Sequence, residues 1–458
     1  MVSRRRFITS TAASGIAVAG AETALAATPR RPNFVIFLAD DLGCHDLGCA
    51  GASDLQTPNI DALAANGVRF TNWYAAAPVC APSRSAVLTG RYPLRNGVTN
   101  NSLPLAPTER TIASLLKPAG YATGIFGKWH LGASPDTVPN AHGFDEFVGF
   151  HAGCIDYYSH RFYWGEPRTV NYHDFWRNRE EIFPDGNYST EIFGREAARF
   201  VRNNRDNPFF LYVPFNAVHY PMHAPARYVE RFSITDTERR MYAAMLAALD
   251  DGVGEVMRAL RDTGLLDRTL VFCSADNGAT TEARAGLHGM PATAGSNRPF
   301  RGYKFSVFDG GMHPPAIMSW PGVVPKGRVV NEVGSHLDLL PTILTAAGVD
   351  LPTDRVLDGF DALPLAAGST RSRHDAIFWS EGPQVAVRRG KWKLVKNGIT
   401  HDGTEAGRKP LPGDDAFFLS DVESDPGEST NLRHAHPEIV DEMVTLTERW
   451  LQDVKSQR

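Results

Sequence analysis

The chain has 458 residues, 43% of them hydrophobic and 21% charged, with 47 Lys and Arg against 51 Asp and Glu. A formal net charge of -4 argues against a nucleic-acid surface or a polybasic membrane patch as its main business. Five cysteines are too few for a disulfide-stapled scaffold, and 31 prolines and 41 glycines spread along the chain exclude collagen and low-complexity classes. This length allows about three domains, or one large α/β domain with an appendage.

The chain opens with Ser3-Arg4-Arg5-Arg6-Phe7-Ile8, then a weakly apolar run ending near Ala24-Leu25-Ala26. Paired arginines, a modest apolar stretch and an A-x-A site resemble a twin-arginine export signal over residues 1–27; an ordinary secretory signal is the other reading. Thr9, Ser10, Thr11, Ser14, Glu22 and Thr23 interrupt the run, which argues against a membrane anchor. The mature protein is therefore expected to be exported, periplasmic or secreted, and free of an anchor.

Next come short apolar runs that end in polar turns. Asn33 to Ala39 (NFVIFLA) stops at Asp40-Asp41, and Tyr121 to Phe126 at Gly127-Lys128-Trp129-His130. Pro208 to Phe215 runs into Asn216-Ala217-Val218-His219, and Leu270 to Ser274 into Asp276-Asn277-Gly278. Apolar runs without alternation suit strands buried on both faces. Helical patterns lie between them at Ile60 to Asn66, Ser83 to Thr89, Thr111 to Ala119, Tyr188 to Asn203 and Thr237 to Thr263. This alternation predicts an α/β fold, a large mostly parallel mixed sheet sandwiched by helices. After about residue 371, Ile377-Phe378-Trp379, Val385 to Arg388 and Trp392 to Val395 alternate like a small antiparallel sheet. A turn-rich stretch, Asp421 to Asn431, and an amphipathic helix, Pro437 to Val454, close the chain. The expected layout is a catalytic domain over 28–370 and a C-terminal subdomain over 371–458.

In open α/β sheets, ligands bind beyond the carboxyl ends of the strands. The unusual polar residues cluster at four such ends, and one shared site is the economical reading. Asp40 and Asp41 repel each other unless a cation or proton intervenes. Asp276 and Asn277 add hard oxygen donors, and four such ligands without His or Cys favour Ca2+ or Mg2+ over zinc. Two unrelated helix caps would give the same residues.

Pro78-Val79-Cys80-Ala81-Pro82-Ser83-Arg84 leads into a helix. A thiol there beside Arg84 reads either as an activated thiolate or as part of an anion-binding helix end. A lone cysteine is more often a small buried hydrophobe. The segment Cys80-Ala81-Pro82-Ser83-Arg84, however, resembles the C-x-P-S-R signature of type I sulfatases, whose cysteine becomes formylglycine. Asp40-Asp41-Leu42-Gly43, Thr57-Pro58-Asn59-Ile60-Asp61 and Leu88-Thr89-Gly90-Arg91-Tyr92-Pro93 resemble the family's early blocks. Gly127-Lys128-Trp129-His130-Leu131-Gly132 is similar to its second signature, and Asp421 to Leu432 to its closing motif. The likeness runs from Pro32 through the C-terminal helix.

That resemblance implies an alkaline-phosphatase-like fold and cleavage of sulfate monoesters, with arylsulfatase-type activity included. It implies that Asp40, Asp41, Asp276 and Asn277 hold one divalent ion, Ca2+ ahead of Mg2+, together with the modified Cys80. Arg84 would steady the formylglycine hydrate. Lys128 would contact sulfate and His130 would help release it. His219 and Lys304 would bind sulfate and protonate the leaving oxygen; His223 is a further candidate nearby. A cation with Lys128, Lys304 and Arg84 would answer the charge that develops on the ester oxygens. A maturation enzyme acting on Cys80 and the export machinery are the implied partners, besides a sulfated small molecule or glycan.

His313 stands where the family commonly carries arginine. Between His151 and Arg179 the chain gathers Tyr157, Tyr158, His160, Arg161, Trp164, His173, Trp176 and Arg177, which suit sugar stacking as well as half-buried packing. A sulfated carbohydrate is the substrate expected. A phosphate or phosphonate ester hydrolase of the same superfamily, or a non-catalytic glycan-binding protein, are the alternatives.

Overall fold

β1 (Asn33–Ala39) is buried at every position, as a strand covered on both faces must be. The structure, a computed structural model, describes residues 31–164 and 171–456. The export-signal reading of residues 1–27 lies outside them. After β1 come β2 (Val68–Phe70), β3 (Trp73–Tyr74), β4 (Ala122–Lys128), β5 (Glu146–Phe150), β6 (Trp176–Arg177) and β7 (Glu180–Glu181). Then follow β8 (Phe209–Pro214), β9 (Thr269–Ala275), β10 (Ala316–Ser319), β11 (Arg328–Val330) and β12 (Gly334–Ser335). The C-terminal part supplies β13 (Ile377–Glu381), β14 (Gln384–Arg389), β15 (Trp392–Lys396) and β16 (Phe417–Asp421).

Ten strands form one sheet in the order β11-β2-β10-β9-β1-β8-β4-β5-β6-β7. Its centre is parallel: β1 pairs with β8 and β9, and β4 with β8 and β5. The flanks are mixed, since β10 runs antiparallel to both β9 and β2 and β6 antiparallel to β5. Alternate residues of β1 serve opposite cores. Val35 and Phe37 pack with the helices Ser189–Asn203 and Thr237–Asp262, while Phe34, Ile36 and Leu38 pack with Cys80–Thr89, Ile112–Leu116 and Leu339–Ala347. On the first face the two long helices approach closely: a Cβ on Gly194 would come 2.8 Å from Gly252 Cα. Glycine is what permits that contact.

The expected central strands and helices are all present, with ends shifted by a residue or a few. Helix Cys80–Thr89 starts earlier than its apolar pattern, at the cysteine itself. Lys128, expected in the polar turn after the run Tyr121 to Phe126, is the last residue of β4. β13 to β16 form a separate four-stranded antiparallel sheet. Its last strand lies upstream of the turn-rich segment and was not expected. Ile377, Trp379, Ala386, Val395 and Phe418 of that sheet share a core with Tyr74, Val307, Phe308 and Met312. The final helix, Pro437–Ser456, stacks Trp450 on Phe378 at 5.0 Å and against Tyr92 at 5.2 Å. Among the described residues no helix is long and apolar enough to cross a membrane.

Candidate active site

Four neighbouring strands, β4, β8, β1 and β9, deliver polar residues at their carboxyl ends. β4 ends in Lys128, β8 leads to Asn216 and His219, β1 to Asp40 and Asp41, and β9 to Asp276 and Asn277. Backbone bonds fix these ends to one another. Asp40 N–H donates to Ala217 O at 3.0 Å, Val218 N–H to Asp40 O at 2.9 Å and Asp276 N–H to Ala39 O at 3.1 Å.

Cys80, the first residue of its helix, is buried with Sγ 3.6 Å from Asp40 Oδ1. Burial pushes its thiol well up, against the pull of Lys128 and Lys304. The activated-thiolate reading is therefore corrected: an unmodified Cys80 is a neutral thiol here. Arg84, one turn on, is no surface residue. Its guanidinium is fully buried, donates to Asp276 Oδ2 from Nε at 3.0 Å and from Nη2 at 2.7 Å, and lies 3.4 Å from Asp40 Oδ1.

The carboxylates sort by partner. Burial raises Asp40, but Lys128, at 2.7 Å, with Arg84 and Lys304 outweighs it and holds Asp40 below the usual range. Asp41 is pushed up to about 7 by burial and by Asp40, Asp276 and Glu282, despite Lys304 at 3.0 Å. Asn277 Nδ2 donates to Asp41 Oδ1 at 2.7 Å, and its Oδ1 is buried with no hydrogen-bond partner among the described residues. An orphaned oxygen and a carboxyl held near neutrality fit a hard dication ligated by Asp40, Asp41, Asp276 and Asn277. Asp40, Asp41, Cys80 and His219 also bring ligating atoms within 4.8 Å of one another.

Two neutral imidazoles complete the ring. Burial, then Lys304 and Lys128, hold His219 well below the usual range; burial and the cations Lys128 and Arg84 do the same for His130. The Nδ1–H of His219 donates to Tyr220 O at 2.8 Å, so Nε2 carries the lone pair and meets Lys304 Nζ at 3.3 Å. Burial lowers Lys304, but the carboxylates of Asp41 and Glu282 hold it well above the usual lysine range, protonated. Lys304 is braced from both sides. The next residue's N–H, Phe305, donates to Pro78 O at 2.7 Å, and Phe305 O accepts from Gln384 Nε2 of β14 at 2.7 Å.

These groups floor a cavity of about 800 Å3, lined by Cys80, His130, His219, Glu282 and Lys304 below and by Phe162, Trp164, Tyr172 and Trp176 at the walls. The sulfatase family model matches residues 32–349. N-acetylgalactosamine-6-sulfatase of Canis lupus familiaris is 35% identical, over 95% of this chain and 87% of its own. Arylsulfatase A of Homo sapiens is 36% identical over 89% and 84%. The crystal structure of Ps i-CgsB in complex with k-i-k-neocarrahexaose superposes with a TM-score of 0.82 at 30% identity, over 93% of this chain and 94% of that one. The chain belongs to the sulfatase family.

It is an enzyme that hydrolyses sulfate esters, and the geometry shows how this sulfatase arranges its residues. Asp40, Asp41, Cys80, Arg84, Lys128, His130, His219, Asp276, Asn277 and Lys304 meet in one place. His223 does not: it pairs with Asp156 at 3.2 Å and does not line the cavity. The aromatic and basic segment divides. Trp164, His173 and Trp176 line the cavity, whereas Tyr157 and His160 are buried and the exposed Arg177 pairs with Glu196 at 3.0 Å. Tyr157 acts through position, its hydroxyl donating to Asn216 O and His219 O at 2.7 Å each.

Glu282 escaped the sequence reading. It holds Lys304 Nζ at 2.9 Å and accepts from Tyr220 OH at 3.0 Å, and only its place six residues after Asp276 hinted at it. His313 has a separate home. Its ring stacks on Phe300 at 4.1 Å, Nε2 donates to Thr71 O at 2.6 Å, and Nδ1 lies 3.5 Å from Asp309. Asp309 in turn is bound by Lys393 of β15 at 2.5 Å, so His313 joins a buried charge cluster between the two sheets.

Proposed function

We propose that this sulfatase works through formylglycine made from Cys80, with Ca2+ held by Asp40, Asp41, Asp276 and Asn277, on sulfated carbohydrate. One observation carries the reading: Cys80 lies on the cavity floor between those four oxygen donors and a ring of Arg84, Lys128, Lys304, His130 and His219. A neutral buried thiol is a poor nucleophile, and the aldehyde hydrate would supply a geminal diol whose one oxygen attacks sulfur and whose other later expels sulfate. The bound cation would supply positive charge beside the nonbridging sulfate oxygens.

The chain's own residues do the rest. Arg84 and Lys128 pin Asp276 and Asp40, so the carboxylates keep their orientation without reorganising during the reaction. Lys304 presents an ammonium proton at the cavity floor. Its neighbour His219, with Nδ1 committed to Tyr220, offers Nε2 as the acceptor through which that proton is shared with the leaving oxygen. His130, neutral, offers an unprotonated ring nitrogen to the same cavity that Cys80 lines.

For the substrate, the walls of Phe162, Trp164, Tyr172 and Trp176 supply flat apolar faces above a cationic floor, which suits a sugar ring carrying an anionic group. A relative named N-acetylgalactosamine-6-sulfatase and a neighbour solved with k-i-k-neocarrahexaose support the same class. The paired arginines Arg4 and Arg5 support export, with a maturation enzyme acting on Cys80 beforehand.

Mass spectrometry of the Cys80 peptide from native-host protein, with a screen of sulfated oligosaccharides, aryl sulfates and phosphate esters, tests this reading. Formylglycine and sulfate release from oligosaccharides are expected. An intact thiol in a fully active enzyme would refute the mechanism, and faster turnover of phosphate esters the substrate class.

A further inference from the structure

A second group of ligating side chains stands at the rim of the cavity, on the excursion between β5 and helix Ser189–Asn203. His160, His173 and Asp185 bring one donor atom each within 4.8 Å of one another. The two imidazoles are buried or nearly so, while the Asp185 carboxylate is 49% exposed and open to an entering ion. Asp185 Oδ1 lies 3.4 Å from His160 Nδ1 and 3.2 Å from His173 Nε2. Charge-assisted hydrogen bonds are shorter, about 2.7–2.9 Å. Around a tetrahedral zinc with bonds of about 2.0–2.1 Å, neighbouring ligand atoms stand about 3.3 Å apart, which is the spacing seen.

The other face of His173 strengthens the case. Its Nδ1 lies 2.8 Å from Glu181 Oε1, a normal hydrogen bond that places the proton of a neutral ring on Nδ1. Nε2 of that tautomer faces the Asp185 carboxylate with a lone pair, so a cation held between them would be ligated by both, with Glu181 orienting the ring from behind as carboxylates do for ligating histidines. Phe183 stacks on His173 at 4.6 Å and Phe175 packs on His160 at 4.4 Å, so both rings are held in place. Two carboxylates also balance a dication.

We propose that His160 Nδ1, His173 Nε2 and Asp185 form a zinc site, oriented by Glu181 and separate from the Cys80 centre. Imidazole with carboxylate suits zinc, whereas the all-oxygen set at Asp41 suits Ca2+. Because the Asp185 carboxylate is half exposed, the ion's fourth position is available to water. The site would tie three separated turns of the excursion together and fix the wall that carries Trp164 and Tyr172.

The test is zinc titration by calorimetry of the full chain, stripped of metal and then saturated with Ca2+. The wild type and Asp41→Asn should each take up one zinc equivalent. His173→Ala and Asp185→Asn should weaken that equivalent at least tenfold, and Glu181→Gln about tenfold. Asp185→Asn changes a half-exposed side chain, so its result stands even if His173→Ala fails to fold. If the wild type takes up no zinc, the proposal fails. It fails equally if all three variants bind zinc as the wild type does.

Discussion

Two nitrogens of Arg84 grip one oxygen of Asp276, at 2.7 and 3.0 Å, and neither side chain is exposed to solvent. The contact joins the helix that begins at Cys80 to the end of β9, so it sets where the thiol stands relative to the oxygen donors. Breaking one side of a buried pair leaves the other charge uncompensated, at about 3–5 kcal/mol. Arg84→Met should lose about that much stability in urea titration and fall below detectable sulfate release. Arg84→Lys, with a single point donor, should recover stability in part and activity hardly at all. Full activity in Arg84→Lys would show that the two-pronged grip is dispensable.

Metal removal gives a second expectation. Asp40, Asp41 and Asp276 crowd one place, and Asp41 carries the mismatch, pushed up to about 7. Chelation should lower the thermal midpoint of the wild type and Ca2+ should restore it. Asp41→Asn removes one of the three charges, so the chelated variant should melt no lower than chelated wild type. It should also gain little from Ca2+. An equal Ca2+ increment in both proteins would place the ion elsewhere.

Away from the site, Glu428 makes stability depend on pH. Burial pushes its carboxyl up to about 7, with Asp309 adding and Lys393 opposing. Its folded value lies above the ordinary 4.5, so the folded state holds the proton more tightly. That contribution is complete below the unfolded value and is lost as pH rises through about 7. Glu428→Gln should flatten the fall in stability between pH 5 and about 8, as urea midpoints across that range would reveal. A wild-type slope preserved in the variant would assign it to another group.

The walls should matter for large substrates only. Trp164, stacked beneath Arg284 at 4.5 Å, lines the cavity away from the Cys80 floor. An aromatic contact is worth about 0.5–1.5 kcal/mol beyond its buried area, so Trp164→Ala should raise KM for a sulfated oligosaccharide about tenfold. The KM for a small aryl sulfate should move less than twofold. Equal losses on both would mean that Trp164 supports the floor rather than the sugar.

What the sequence made legible follows from which signals are local. Asp40-Asp41 and Asp276-Asn277 stand directly after continuous apolar runs, and parallel strands place such residues together. Lys304 and His219 were found by motif, not by physics, because each lies in a loop whose course only the folded sheet decides. Glu282 has no signature beyond its place six residues after Asp276: its role comes from Lys304 and Tyr220, both distant in sequence. Tyr157 and His160 share the composition of Trp164 and His173, yet they point inward, and aromatic density says nothing about which side of an excursion a ring faces. β10 reads like any short apolar run, and nothing in AIMS announces that it will run antiparallel.

The brace on Lys304 also sets an order of events during synthesis. The carbonyl of Pro78, two residues before Cys80, accepts from the N–H of Phe305, and Phe305 is backed in turn by Gln384. In a nascent chain this brace therefore cannot form until more than two hundred residues beyond Cys80 have been made. The maturation proposed for Cys80 would have that interval, before Gln384 of the last sheet backs Phe305.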